Sequence, residues 1–541
     1  MNAKRRTIGP KEGAIILSAL FSMSRASRAV QFDTWTGAIS QSWATRGNWS
    51  SSGTSPLQDS VVTIQANSGQ TTNMDIGCTI SQLQFGVAFS VCGIDGNNSS
   101  VLTFDGVTAP AAIYLQANTT TLNLGSSGSI LPILFTGNTS IDFANSSQVI
   151  ADAGSVEGSG SLFVGTPGTF SGPGTLRFNA NDPSYSGTVT IDSGKVVLST
   201  SGGIGSGSVI LNGGTLSLQS SATSFSNAIA ANVATGNAFD VPGIASTASG
   251  YLTGSGGFTK TGSGTLTLSH TNSYSGGNSI VAGMLQLGSV SGVGSGSVTV
   301  GSGTIFNVAG FAPVIATLSG AGSVTLGSGT LTAGDSTATT FSGVISGTGK
   351  FIKQGSGSIT FSGNNTYSGG TSITAGVLVI GGDANLGAAP GSPATSLTFS
   401  GSGGTLQVSG DVTLNANRNV LLSSNATFDT NGHALTIPGT LTGSGSLTEI
   451  GGGTLALTNY TTSAGTTVSN GILLMSGTNN SFAGITGTSG SLTIASSAAA
   501  VSDGVQLATL TVTGSHAIRA NGTASGVSKV TTLSIAGSTG A

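Results

Sequence analysis

The sequence predicts an all-β fold, a right-handed parallel β-helix (solenoid) built from glycine-rich repeats. Three observations carry this. Apolar residues fall on alternate positions in short runs, "GTLTLS" at 264–269, "GSVTLGSGTLT" at 322–332 and "GSGSLTE" at 443–449, the period-2 pattern of strands that bury one face. Glycine supplies 88 of the 541 residues and only 6% are charged, against roughly 7% Gly and about 25% charged residues in ordinary globular chains. Long segments also return at a near-constant interval, which signals a repeat architecture.

The same composition argues against the alternatives. Disordered chains pair low hydrophobicity with high net charge, but here 37% of residues are hydrophobic and the formal charge is −3. Helices need good formers at a 3.6-residue spacing, and Ser, Thr and Gly interrupt every window. A string of β-sandwich domains of about 95 residues is the rival architecture. It calls for proline-rich linkers between copies, and the 12 prolines form none.

Taken in order, residues 1–29 read as a signal peptide. Lys4, Arg5, Arg6 and Lys11 flank the apolar run "AIILSALFSM" at 14–23, and Ser27-Arg28-Ala29 places small residues at the −3 and −1 positions of a cleavage site. The run is too short to span a bilayer, which takes about 20 apolar residues. Cleavage after Ala29 removes six of the 15 basic residues and one of the 18 acidic ones, leaving nine and 17 and a net charge of −8. Phosphate binding needs a basic patch, so no nucleic-acid partner is expected.

Residues 30–157 are read as a Trp-rich N-terminal cap and the first β-helix coils. Trp35, Trp43 and Trp49 are all the tryptophans of the chain. The end of a β-helix exposes strand edges and open core, which three indoles can close; a carbohydrate-binding aromatic platform is the sharper alternative. Cys78 and Cys92 are the only cysteines. Export permits a disulfide between them, around the loop "CTISQLQFGVAFSVC", and two free buried thiols remain the other reading. Without nearby histidines the pair does not suggest a metal site, and neither metal nor cofactor is expected anywhere in the chain.

Residues 158–541 are read as β-helix with repeat units starting near 158, 254, 347 and 443. "GSGGFTKTGSGTLTLSHTNSYSGGNSIVAGMLQLG" at 254–288 and "GTGKFIKQGSGSITFSGNNTYSGGTSITAGVLVIG" at 347–381 match without a gap at 20 of 35 positions. Looser copies begin at Gly443 and near Gly158, so the starts are 96, 93 and 96 residues apart. Leu266 and Leu268 share one strand face, Ile280 lies on the next strand, and Leu285 and Leu287 on the one after. The next copy repeats this as Ile359 and Phe361, then Ile373, then Leu378 and Ile380. Each piece is too short to bury its own apolar face, and stacking coil on coil makes one continuous core.

These segments resemble the autotransporter-associated β-strand repeat, also called the passenger-associated transport repeat. The resemblance rests on the glycine-rich entry, the Tyr-Ser-Gly-Gly turn and the final Ala-Gly-x-Leu strand of "GSGTLTLSHTNSYSGGNSIVAGMLQLG" and "GSGSITFSGNNTYSGGTSITAGVLVIG". It covers about a quarter of the chain directly. It implies an exported bacterial passenger, secreted or held at the cell surface and outer membrane of a Gram-negative-type bacterium, with repeats that assist passage across that membrane. The partners it implies are an unknown surface ligand (a host or matrix protein or a glycan) and outer-membrane translocation machinery or a β-barrel not present in this chain. Membrane barrels carry aromatic girdles, whereas after Tyr460 the chain has one Phe and no Trp or Tyr; the expectation is a passenger truncated at its C-terminus.

Catalysis finds little support. A β-helix can host polysaccharide lyases and glycoside hydrolases, which makes an enzyme of that class the alternative. Glycoside hydrolysis takes two carboxyl groups flanking the scissile bond, and the nearest acidic pair in sequence is Asp152 and Glu157. His270, His433 and His516 are far apart, and "GGDANLG" at 381–387 lacks the calcium-repeat pattern, so Asp383 is read as a turn residue. Tyr274 and Tyr367, with Tyr185 in the first copy, are read as rings packed over their own turns rather than as a polymer-binding ladder. No enzyme is expected; the function read is a structural scaffold for display or adhesion.

Overall fold

A strand of three or four residues with apolar side chains on alternate positions cannot bury that face alone. In this chain each such strand lies in parallel register on its counterpart one turn earlier. The computed structural model describes backbone and side chains at 133–143, 156–165, 174–178, 184–200, 204–219, 224–243 and 245–476, with Ile113 and Ile150 besides, and strands of backbone alone elsewhere. The chain divides into two units, Met1–Gly276 and Gly277–Ala541.

In the first unit three columns of strands stack. One runs through Ala111–Leu115, Thr139–Phe143, Leu162–Val164, Val189–Ile191, Val209–Leu211, Ile229–Ala231 and Leu252–Thr253. A second runs from Val149–Asp152 through Thr175–Phe178, Lys195–Leu198, Thr215–Leu218 and Ala238–Asp240 to Phe258–Thr261. The third is Ser224–Phe225, Ala245–Ala248 and Thr265–Leu268. Val189 lies beside Val209, and Val209 beside Ile229, so these turns take 20 residues each.

The second unit repeats the plan. Met284–Leu287, Ile305–Asn307, Ser323–Thr325 and Val344–Ser346 form one parallel column. Lys350–Lys353, Thr371–Ile373, Ala394–Phe399 and Arg418–Leu422 form another. Ser358–Phe361, Val377–Ile380, Gly404–Val408, Ala426–Asp429 and Leu447–Ile450 form a third. Each unit is therefore a parallel β-solenoid, the predicted fold class.

The predicted core positions Leu266, Leu268, Ile280, Leu285, Leu287, Ile359, Phe361, Ile373, Leu378 and Ile380 are at most 1% exposed. Aromatic rings fill the same interior, with Phe351 and Phe361 at 4.8 Å and Phe399 and Phe428 at 5.1 Å between centroids. The corners need glycine at one recurrent point. The four repeat starts Gly158, Gly254, Gly347 and Gly443 have φ of 99, 107, 113 and 144°, which L side chains rarely adopt. A Cβ on Gly158, Gly254 or Gly443 would also strike the carbonyl oxygen of Phe135, Ala231 or Leu422 on the preceding coil.

The N-terminal expectations fall largely outside the described residues. Within 1–29, the segment expected to be a signal peptide, Ile16–Phe21 is a strand antiparallel to Ser60–Gln65. The three tryptophans lie outside the description. Cys78 opens the strand Cys78–Phe85, and Cys92 lies in Phe89–Gly96. The first of these pairs with Leu102–Phe104 and the second with Gln70–Met74, so the two cysteine strands belong to different columns. Their side chains are outside the description, and the disulfide remains an expectation.

Candidate functional site

Three kinds of buried polar group recur in the repeat and hold its corners. The first is a tyrosine. Tyr185, Tyr274, Tyr367 and a fourth member, Tyr460, are at most 1% exposed. A buried phenol needs a hydrogen-bond partner. Tyr185 Oη donates to Gly160 O at 2.9 Å, Tyr367 Oη lies 2.6 Å from Thr371 Oγ1, and Tyr460 Oη lies 2.7 Å from Thr466 Oγ1. Burial pushes the hydroxyls of Tyr185 and Tyr367 far above the usual range and that of Tyr460 to about 12. These rings close their coils and present no face to a polymer.

The second is an asparagine two residues before the tyrosine. Asn272 Oδ1 accepts from Leu252 N at 2.9 Å, and Asn365 Oδ1 from Ile345 N at 2.8 Å. Each satisfies a backbone amide one coil back, where an unpaired N–H would be costly. The third is a charge on the inner face. Lys260 and Lys353 are fully buried. Lys260 Nζ donates to Thr261 O and Gly262 O, and Lys353 Nζ to Gln354 O, Gly355 O and Ala375 O, at 2.6 to 3.2 Å. Burial pulls both ammonium groups down to about 8, against the opposing influence of Asp240 and Asp335. The copy starting at Gly443 replaces this lysine with Glu449, also fully buried. Burial, reinforced by Asp429, raises the Glu449 carboxyl to about 7.

On the outside of the first unit, Lys195 Nζ reaches over one intervening strand to Asp240 Oδ2 at 2.8 Å, and Ser217 on that strand donates to the same oxygen at 2.9 Å. Burial disfavours the charged carboxylate, but Lys195, Ser217 and Thr261 outweigh it and hold Asp240 below its usual range. His270 is exposed, its ring 5.3 Å from that of Tyr251.

In the second unit, Asp383 does more than turn the chain. It opens a 3-10 helix, Asp383–Leu386, and forms a bidentate pair with Arg418, at 2.7 Å from Nε and 3.1 Å from Nη2. Arg418 is fully buried. Its Nη2 also donates to Gly387 O at 2.9 Å, and its Nη1 to Leu386 O at 3.3 Å and Ser396 Oγ at 3.2 Å. A guanidinium has five N–H donors, and all five are used.

Among the described residues, stacking does not gather those that the sequence would single out for chemistry. His433 sits 3.7 Å from the exposed carboxylate of Asp411, His270 belongs to the other unit, and His516 lies outside the description, as does the Asp152 side chain. Among the described residues no three of His, Cys, Asp and Glu come together as a metal site. Glu449, the carboxyl with a raised pKa, is closed to solvent. The buried charges and asparagines are what the sequence reading missed. Their signal was available: Lys260 with Lys353 and Asn272 with Asn365 are identical positions in the two aligned copies.

Comparison with known proteins agrees with this construction. Residues 170–198, 258–287 and 351–380 match the passenger-associated-transport-repeat family. A relative, the adhesin BmaC autotransporter of Brucella suis biovar 1 (strain 1330), is 32% identical over 160 residues, 28% of this chain. The match spans 5% of that protein's length. No solved structure matches. The matched segments hold Tyr185, Tyr274 and Tyr367, together with Lys260 and Lys353; three segments of the chain match the passenger-associated transport repeat, and their strands stack in parallel register.

Proposed function

We propose that this chain is the passenger-type scaffold of an exported bacterial surface protein, and that it displays its outer loops for adhesion. The observation that carries the reading is the threefold match to a passenger repeat inside a parallel solenoid. The similarity to a protein named an adhesin supports it, over the limited span that aligns. The repeat's polar groups point inward and serve the fold, as Lys260, Lys353, Asn272 and Asn365 do. That leaves the outer face free to vary without cost to the core. The repeats assist export by folding locally, since each coil pairs only with its neighbours.

The test is binding by the purified full chain to arrays of immobilised matrix proteins and glycans, with protease accessibility on intact cells as the readout of placement. Saturable binding and surface exposure are expected. Turnover of an acidic polysaccharide, lost on changing one carboxylate, would replace this reading with the lyase or hydrolase alternative.

A further inference from the structure

One corner of the second unit is longer than its counterparts. Ten residues separate Leu198 from Val209 and Leu287 from Val298, whereas sixteen separate Ile380 from Leu397. All three connections first seat a buried aliphatic residue, Ile204, Val293 or Leu386, always 19 positions after the repeat tyrosine. The six additional residues therefore enter after Leu386. They match in number the tip "AAPGSP", 388–393, in which every residue is exposed except Pro390, before the strand Ala394–Phe399 begins.

The base of this tip is held with unusual thoroughness. Arg418, on the next coil, binds Asp383, Leu386 and Gly387 on the incoming side and Ser396 on the outgoing side. Asn417 Nδ2 adds a bond to Pro390 O at 3.0 Å, and Ala394 N donates to Asn417 O at 3.0 Å. In the short connection of the first unit, Asn227 does the same work on a smaller scale, donating to Gly205 O and Gly207 O. The staple has grown with the loop: it fixes both stalks, Asp383–Gly387 and Ala394–Ser396, and reaches the joining peptide itself at Pro390.

We propose that Ala388–Pro393 is a processing site for an endopeptidase with a shallow, small-residue primary pocket, and that the cut chain stays assembled. The tip offers Ala, Gly, Ser and Pro with no basic or large aromatic side chain, and exposed tips of small residues are where proteases nick folded proteins. Hydrolysis adds one water across one peptide bond. The acyl carbon takes the hydroxyl and the nitrogen takes the proton; the acid then passes its proton to the amine, leaving a carboxylate and an ammonium. Neither new end carries a strand away, because Ala394–Phe399 remains paired on both sides, with Thr371–Ile373 and with Arg418–Leu422.

The experiment treats the full folded chain with porcine pancreatic elastase and, in parallel, with trypsin. Within 245–476, elastase is expected to cut first in 388–393, as mapped by mass spectrometry, and trypsin to leave that tip intact. The cut pieces should co-elute on gel filtration and separate only in denaturant. A second chain, with 387–396 replaced by the Gly-Ser-Gly-Ser of 294–297, should fold and lose the elastase site. Asp383→Asn leaves the Arg418 charge buried without its counter-charge and should destabilise both chains, lowering the denaturant concentration at which the cut pieces part by more than it lowers the midpoint of the uncut chain. A first elastase cut elsewhere in 245–476, or separation of the cut wild-type pieces in buffer, overturns the proposal.

Discussion

Glu449 shows how one side chain departs from its repeat. Where Lys353 binds three carbonyl oxygens, Glu449 has Oε1 3.2 Å from Thr430 Oγ1 and an Oε2 with no hydrogen-bond partner. Thr430 Oγ1 also lies 2.9 Å from Ile450 O, and its single hydrogen cannot serve both oxygens. A neutral carboxyl resolves this by donating to Thr430, which then donates to Ile450. Folding raises this carboxyl from 4.5 to about 7, so between those values the folded chain keeps a proton that the unfolded chain has lost. The group's contribution is therefore most favourable in acid, and it declines as pH climbs from about 4.5 to about 7. Amide protection factors over 447–475, corrected for the intrinsic base-catalysed rate, should fall across that window, and Glu449→Gln should flatten that profile. At the sister position, Lys353→Met strands buried carbonyls and should cost about 2–3 kcal/mol in thermal melting. Inward charges of this kind are hard to read in one copy of the sequence, because a Lys on an alternating strand looks like solvent-facing polarity. Only its recurrence at Lys260 and Lys353 marks it as part of the core.

At the level of the element, each strand is held by its corner as much as by its apolar face. Gly443→Ala must carry a side chain at a φ of 144° and drive it against Leu422 O. A cost of about 1–2 kcal/mol is expected from the backbone alone, with more from the clash, and exchange should rise first in Arg418–Leu422 and Ala434–Gly443. Tyr367→Phe removes only the bond to Thr371 and should cost about 1 kcal/mol; Tyr367→Ala opens a cavity and should cost about 3–5 kcal/mol. The strands and their inner faces were legible because period-2 alternation is a direct consequence of the pleat, and Leu266, Leu268, Ile359 and Phe361 all lie where that period puts them. The Arg418 staple was not, because its partners Asp383, Leu386, Gly387 and Ser396 stand 22 to 35 residues away in a connection with no periodic pattern.

At the scale of the molecule, the charges among the described residues that serve the fold most directly are enclosed. Lys260, Lys353, Arg418 and Glu449 are all fully buried, and buried interactions are little affected by counter-ions. Melting temperature should change little from about 0.01 to about 1 M NaCl, although the Debye length falls from about 30 to about 3 Å. The parallel register has a mechanical consequence. A turn paired only with its two neighbours, like that from Val189 to Val209, can be peeled away while the turns behind it stay bonded. Pulled from one end in an optical trap, such a stack should unravel as a staircase, each tread releasing one turn, about 70 Å of contour for 20 residues. Force that would rupture a globular domain in one event is here dissipated turn by turn.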